Sequence, residues 1–165
     1  MSDPLRNLRA LRHKLAQHAA RLEQLHALHL TCRRGCDGCC QTERTVSPVE
    51  FRALSDAVEG LPESTRARLA AQVDAEHCTL LLDGACAMYD ERPLICRSHG
   101  LPMVMEGHRD VCPLNFTDGD IGELADDEVL SVDALTAILI AVNQLYAQEE
   151  GEDAGARRAV GELFS

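Results

Sequence analysis

A cluster of cysteines constrains the fold of this chain more than any other feature of its sequence. Four of its eight cysteines fall within nine residues, and the other four follow at wider intervals. The full set is Cys32, Cys36, Cys39, Cys40, Cys78, Cys86, Cys96 and Cys112. Burial of small apolar side chains does not require such clustering, whereas thiolates at short spacing are typical of a metal site. We therefore predict that all eight cysteines are candidate metal ligands.

The spacing inside the cluster suits metal ligation. Two residues separate Cys36 from Cys39, so a tight loop can bring both sulfur atoms to one ion, at about 2.3 Å if the ion is zinc. Gly35 and Gly38 supply the unusual backbone angles that such a loop needs. Cys40 directly follows Cys39, and adjacent side chains tend to diverge. These two thiolates can therefore serve two ions or a cluster, and the sequence leaves open whether there is one site or two.

Other uses of clustered cysteines fit the pattern less well. Disulfides suit a secreted chain, a zinc ribbon needs two C-x2-C pairs, and a c-type haem site needs His after the pair. A thioredoxin-like redox pair needs a βαβ setting. The C-x3-C-x2-C spacing from Cys32 to Cys39 matches radical S-adenosylmethionine enzymes, but this chain is too short for their large barrel. The same spacing still allows three thiolates to hold three irons of a cubane cluster.

Apolar periodicity predicts a long first helix over residues 4–30. Its stripe follows alternating spacings of three and four, at Leu8, Leu11, Leu15, His18, Leu22, Leu25 and His29. Such a stripe must pack on the rest of the chain, on a protein partner or on a second copy. The Leu8–Leu25 stripe is therefore the expected surface for a partner or a homodimer.

Further helices are predicted along the rest of the chain. Ser47 and Glu50 form a capping-box pattern with Pro48 at the first helical position, and Gly60 is expected to end that helix. The other expected helices run from Pro62 to about His77, over residues 131–148, and over a short terminal stretch that holds Val160, Leu163 and Phe164.

Two turns predict β-hairpins. Asp83-Gly84 is a strong two-residue hairpin signal that would place Cys86 beside Leu81, and a weaker hairpin is expected at Glu106-Gly107. The predicted fold is α+β and mostly helical, with four to six helices and one or two short hairpins around a cysteine-rich metal centre. We expect one domain over residues 1–165. Its parts are the amphipathic helix 4–30, the metal-binding core 31–116 and the C-terminal helices 126–165.

Composition narrows the range of partners and compartments. A net charge of −11 with 3% aromatic residues argues against binding to nucleic acid or to an anionic membrane. The first residues lack the apolar run of a secretory signal, and no stretch is apolar enough to span a bilayer. Residues 4–22 also have the Arg-rich amphipathic character of a mitochondrial presequence, but their pattern continues into the cysteines. We expect a cytoplasmic protein, in which thiols stay reduced.

From Cys32 onward the sequence resembles a known family. The four-cysteine cluster, the helix start at Ser47 and the C-x2-Y-x2-R-P-x2-C-R string from Cys86 to Arg97 are similar to the YkgJ-type cysteine-cluster family, also called CxxCxxCC, of bacteria and some other lineages. The resemblance covers about residues 32–116, with one residue more than usual between Cys32 and Cys36. It implies a zinc- or iron-chelating domain.

Three functions are compatible with these features. The first is a metal-binding protein with a zinc or iron centre, or equally a [4Fe-4S] cluster, in a structural, sensing or metal-handling role. The second is an iron–sulfur enzyme with an open coordination site, because the resemblance extends to flagellin lysine N-methylase, a longer relative associated with an iron–sulfur cluster. The third is an interaction module folded by its metal. No further catalytic domain is seen, so a non-enzymatic role is favoured and no catalytic residue is assigned.

Charged and imidazole side chains accompany the cysteines. Four arginines lie near them in sequence, at Arg33, Arg34, Arg92 and Arg97. They can lower the pKa of the thiols, or Arg92 and Arg97 can pair with Asp90 or Glu91 and hold the loop. His99 is a candidate ligand or hydrogen-bond donor to sulfur. His26 and His29 are interpreted as packing or surface groups.

Overall fold

The structure is a computed structural model that describes residues 3–73 and 76–165. In chain order the helices are α1 (Arg6–Leu25), α2 (Pro48–Glu59), α3 (Glu63–Ala70), α4 (Leu94–Ser98) and α5 (Val132–Glu150). The strands are β1 (Thr45–Val46), β2 (Leu81–Leu82), β3 (Ala85–Cys86), β4 (Met103–Met105), β5 (His108–Asp110), β6 (Leu130–Ser131) and β7 (Arg158–Ala159). Across the described residues these five helices and short strands confirm the predicted α+β, mostly helical class.

The chain divides into two compact units. The first unit comprises the segment that ends at Leu5 together with Arg33–Pro93 and Asn143–Ser165. The second comprises Arg6–Cys32 and Leu94–Val142. The expectation of a single domain stays a prediction.

In the first unit, α2 begins and ends where the sequence predicts. The hydrogen bonds of its first turn differ from the predicted ones. The Ser47 hydroxyl donates to the Glu50 carboxylate at 3.1 Å and makes no hydrogen bond to the backbone, so the predicted capping box is wrong. Both side chains are buried, and this hydrogen bond joins them to each other. The Val49 N–H instead donates to the side chain of Asn143 at 3.1 Å. A residue from the far end of the chain thus replaces the local cap.

The core of the first unit joins residues distant in sequence. Its members are Val46, Phe51, Leu54, Val58, Cys78, Leu80, Met88 and Val160. Strand β1 pairs antiparallel with β7, which brings the chain end to this core. The predicted terminal helix is a 3₁₀ turn over Val160–Phe164. The predicted third helix ends at Ala70, short of His77, and part of the remaining prediction falls on residues 74 and 75, outside the described residues.

In the second unit, α1 ends at Leu25 and does not reach residue 30. The chain leaves the helix because the His26 ring bonds to the Glu128 carbonyl at 2.8 Å and the Phe116 N–H donates to the His29 carbonyl at 2.8 Å. The stripe residues Leu8, Leu11, Leu15 and Leu22 are buried. Only its last leucine, Leu25, is half exposed, so the Leu8–Leu25 stripe does not present a free surface to a partner or a second copy.

The second unit also holds the sheet β5-β4-β6. Strands β4 and β5 form the predicted hairpin, with Met105 opposite His108. Strand β6, which the sequence did not predict, pairs parallel to β4. None of the helices in the described ranges has the length and apolarity of a membrane span.

Candidate metal centre

Four thiols of the first unit converge from three segments of the chain. Cys39 and Cys40 lie in a 3₁₀ turn over Gly38–Cys40, Cys78 precedes β2, and Cys86 ends β3. The Cys78 N–H donates to the Cys40 carbonyl at 2.9 Å, and Cys40 and Cys86 pack against the core that contains Cys78. We call these residues the four-thiol cluster (Cys39, Cys40, Cys78 and Cys86).

Local turns explain how the backbone presents these thiols. Asp83 and Gly84 have φ of 53° and 75°, the left-handed angles that a tight hairpin turn requires. This turn sets Leu81 opposite Cys86, as predicted. The β2–β3 ladder does not extend to Cys78, whose N–H donates to the Cys40 carbonyl instead.

The thiols of this cluster influence one another electrostatically. Burial, followed by the neighbouring thiols of Cys39 and Cys78, raises the pKa of Cys40 to about 12, and Cys86 acts in the same direction. Burial also raises the pKa of Cys78 to about 11, against a hydrogen bond from the Leu80 backbone. The thiols of Cys39, Cys78 and Cys86 therefore lie within electrostatic range of the Cys40 thiol.

Glu43 and Arg44 support the cluster from the loop that follows Cys40. The Glu43 carboxylate accepts hydrogen bonds from the Thr79 hydroxyl at 2.5 Å and the Thr79 N–H at 3.3 Å. Arg44 donates to the Cys39 carbonyl at 2.5 Å. Sequence reasoning missed both residues, and their only signal is their position directly after the cysteine cluster.

A pair of arginines faces Tyr89 near the thiol of Cys86. The guanidinium carbons of Arg92 and Arg34 lie 3.6 Å and 4.3 Å from the centre of the Tyr89 ring. Arg34 also makes two hydrogen bonds of 2.8 Å to Asp90. Burial raises the pKa of Cys86, while the charges of Arg92 and Arg34 lower it. The predicted lowering of a thiol pKa by arginine is thus present at Cys86, where burial outweighs it. The ion pair with Asp90 is made by Arg34, and the predicted pairing of Arg92 and Arg97 with Asp90 or Glu91 stays a prediction.

The second unit contains Cys32, Cys96 and Cys112, and one asparagine connects two of them. The Asn115 amide nitrogen donates to the Cys32 sulfur at 3.2 Å and to the Gly100 carbonyl at 2.6 Å. Its backbone N–H donates to the Cys112 carbonyl at 2.8 Å. Asn115 is 3% exposed, and its bond to the Gly100 carbonyl is buried, whereas Cys32 itself is exposed.

Gly100 permits this arrangement. Its φ is +147°, and a Cβ at this position would lie 2.7 Å from the Cys32 sulfur. Any other residue would displace the thiol. Cys96 lies on α4, four residues before Gly100, and sequence reasoning did not identify either Asn115 or Gly100.

The predicted ligand set is therefore brought together in part. The structure gathers Cys39, Cys40, Cys78 and Cys86, and it links Cys32 to Cys112 through Asn115. Cys96 lies on α4 of the second unit. Cys36 precedes the four-thiol cluster in the same loop, where its N–H donates to the Arg33 carbonyl at 3.0 Å.

The donor set of the four-thiol cluster fits a thiophilic metal. All eight cysteines are free thiols, and sulfur donors are what zinc, iron and iron–sulfur clusters select. In residues 3–73 and 76–165 no three His, Cys, Asp or Glu side chains are already positioned to hold an ion. The fit thus rests on the chemistry and grouping of the donors.

His26 and His29 pack against an aromatic ring, as predicted. The rings of His29 and His26 lie 5.0 Å and 5.1 Å from the ring centre of Phe116, the first stacked and the second edge-on. His99 lies just after α4, where its N–H donates to the Ile95 carbonyl at 3.1 Å. Its role as a ligand stays a prediction.

Comparison with known families identifies the cysteine-rich segment. Residues 31–113 match the CxxCxxCC family, described as "Putative zinc- or iron-chelating domain". Comparisons with curated proteins and with solved structures gave no significant match. The matched segment contains all eight cysteines and spans half of the sequence, so the chain belongs to the CxxCxxCC family.

Proposed function

We propose that this chain is a metal-binding protein that holds zinc or iron through the thiolates of the four-thiol cluster. The convergence of four sulfur donors from three segments of the first unit carries the proposal. The family supports it, because its description is that of a zinc- or iron-chelating domain. Four thiolates are a complete ligand set for a structural zinc ion and equally for a [4Fe-4S] cluster.

The proposed role is to fold and hold the first unit, or to bind and release the metal as cargo. Cys78 lies within the core, and Cys40 and Cys86 pack against it. An ion shared by these residues would tie the cysteine loop to the β2–β3 hairpin, so binding and folding would be coupled. A site closed by four thiolates has no position for substrate, which favours a non-enzymatic role.

The proposal includes the other four cysteines as further sulfur ligands to metal. Cys36 would join the first unit's centre, while Cys32, Cys96 and Cys112 would supply a second set in the second unit. Asn115 would orient the Cys32 thiolate in that set, as hydrogen-bond donors to metal-bound sulfur commonly do. We place the protein in the cytoplasm, where its thiols would stay reduced.

Anaerobic purification followed by elemental analysis and an absorption spectrum tests the proposal. Colourless protein with one or two zinc ions per chain would identify a zinc protein. Brown protein with iron and acid-labile sulfide would identify an iron–sulfur centre, and three-ligand iron would then favour the enzymatic alternative. Protein that contains neither metal, and takes up neither under reducing conditions, would refute the proposal.

A pair of variants locates the site. Cys40→Ser removes one donor of the four-thiol cluster and should abolish or sharply reduce the metal content of that centre. Ala87→Ser adds the same hydroxyl beside Cys86 without removing a thiol, and it should retain the metal. Equal metal content in both variants would place the ligands elsewhere.

A further inference from the structure

Helix α5 exposes an apolar face that the proposed metal function does not use. The residues of α5 that are buried are Asn143, Tyr146 and Ala147. On the opposite side of the helix, four exposed apolar residues follow one another at spacings of four, three and four, which places them in one row. We call this row the α5 stripe (Ala134, Ile138, Ala141 and Leu145).

The composition of α5 is that of a helix packed on more than one side. Ile138 and Leu145 are 51% and 50% exposed. Residues 134–148 contain no charged side chain, although charged residues make up 26% of the sequence. The solvent face of a helix is normally polar or charged, and a contiguous exposed apolar patch marks an interaction surface. The α5 stripe is therefore a candidate contact surface.

We propose that the α5 stripe packs against the α5 stripe of a second copy of this chain, with the two helices antiparallel about a two-fold axis. Ala134 of one copy then faces Leu145 of the other, and Ile138 faces Ala141. The two-fold axis repeats each contact in reverse. A small residue lies opposite a large one at every position, so the two rows of side chains interdigitate.

The charge of the chain favours this surface for contact between copies. Each copy has a net charge of −11, so charged faces of two copies repel each other, whereas the stripe brings no charge to the contact. The next residue along the row is Gln148, which would lie opposite Ser131 of the other copy. Both residues are exposed and uncharged, and their side chains can hydrogen-bond to each other.

The size and order of the stripe predict how the copies associate. A helix of 19 residues is about 28 Å long, and one pair of such helices is smaller than a standard protein interface. We therefore expect a reversible dimer that dissociates on dilution. A parallel pair would set equal residues opposite each other and leave the alanines facing alanines, so the antiparallel pair packs better.

Sedimentation equilibrium on the metal-loaded full chain, under reducing conditions and over a hundredfold range of concentration, tests the inference. Wild type should fit a monomer–dimer equilibrium. Ile138→Glu should raise the dimer dissociation constant at least tenfold, because it brings like charges together at the contact. Ile140→Glu is the matched control. Ile140 is 52% exposed on the same helix but lies on another face, so this variant should change the constant less than twofold.

A second pair of variants tests the antiparallel arrangement. Leu145→Glu should weaken the dimer at least tenfold. Adding Ala134→Lys to it should recover at least fivefold, because each carboxylate would then face an ammonium group of the other copy. In a parallel pair Lys would face Lys and Glu would face Glu. A double variant no tighter than Leu145→Glu would therefore overturn the arrangement.

Three outcomes would overturn the use of the stripe as a contact between copies. The first is a wild type that stays monomeric over the whole range. The second is equal weakening by Ile138→Glu and Ile140→Glu, which would trace the effect to added charge or to the helix and not to the stripe. The third is a monomer that binds vesicles of uncharged phosphatidylcholine and loses this binding in Ile138→Glu, which would assign the stripe to a lipid surface.

Discussion

The two units of this protein hold their cysteines by different means. In the first unit, Cys78 belongs to an apolar core, Cys40 and Cys86 pack against it, and burial raises the pKa of all three thiols. In the second unit, Asn115 ties Cys32 to the backbone at Gly100 and Cys112 through hydrogen bonds. A metal in the first arrangement must displace the thiol protons, whereas in the second the Cys32 sulfur already accepts a hydrogen bond from Asn115. We therefore expect the first unit to depend on metal more strongly.

Metal removal should cause the largest loss of stability. A strong chelator under reducing conditions should unfold the first unit, because structural metal binding is worth about 10 kcal/mol or more in small thiolate domains. Hydrogen exchange, followed residue by residue, should show loss of protection in Arg33–Pro93 before Leu94–Val142. An unchanged melting temperature after complete metal removal would contradict the coupling of binding to folding.

The pH dependence of zinc affinity should be the next largest effect. In the metal-free chain burial raises the pKa of Cys40 to about 12 and that of Cys78 to about 11, and it also raises the pKa of Cys86, so all three thiols are protonated at neutral pH. Binding must release at least these three protons, and zinc affinity should therefore fall as the pH falls, roughly 1,000-fold per pH unit for three protons. Competition titrations between pH 6 and 8 measure the slope. A slope near zero would exclude protonated thiols as ligands.

Two core leucines sharpen the comparison between the units. Leu54 in the first unit and Leu22 in the second are both fully buried, so replacing either by Ala should cost about 2–5 kcal/mol of unfolding free energy. Only Leu54→Ala should also weaken metal binding, because Leu54 belongs to the core against which Cys40 and Cys86 pack. Equal losses of metal affinity in the two variants would remove the distinction.

Asn115→Asp tests how the second unit holds Cys32. The carboxylate can still accept from Thr31, but it cannot donate to the Cys32 sulfur or the Gly100 carbonyl. We expect a loss of about 1–3 kcal/mol in stability, the usual cost of leaving a buried group unsatisfied. Thr117→Ala, at an exposed site two residues away, is the control. Equal stability of Asn115→Asp and wild type in urea would show that these bonds contribute little.

Substitution of Arg34 is expected to have the smallest effect on metal content and melting temperature. Its ion pair with Asp90 joins side chains that are 56% and 83% exposed, and pairs of this kind contribute less than about 1 kcal/mol. Arg34→Gln should therefore keep both the metal and the melting temperature nearly unchanged. A marked loss of metal would mean that its charge stabilises the thiolates directly.

Local signals predicted much of the fold. The Asp83-Gly84 turn, the start of α2 at Pro48 and the extent of α5 each follow from a few neighbouring residues, and all three are confirmed. The end of α1 was not predictable in this way. It depends on Glu128 and Phe116, which reach His26 and His29 from about ninety to one hundred residues further along the chain.

The candidate site was predictable as a set of residue types but not as an arrangement. The cysteine spacing marked all eight thiols, yet it could not select the pairing of Cys40 with Cys78, which depends on a backbone hydrogen bond between distant loops. Asn115 and Glu43 were missed for the same reason. Each is an ordinary polar residue in the sequence, and its role exists only through long-range contacts.

X-ray absorption at the edge of the bound metal tests the central claim most directly. In anaerobically purified protein we predict a sulfur-dominated coordination shell at about 2.3 Å, which Cys40→Ser should disrupt and Ala87→Ser should preserve. A shell of nitrogen and oxygen alone, or an identical sulfur shell in the Cys40→Ser protein, would contradict the account.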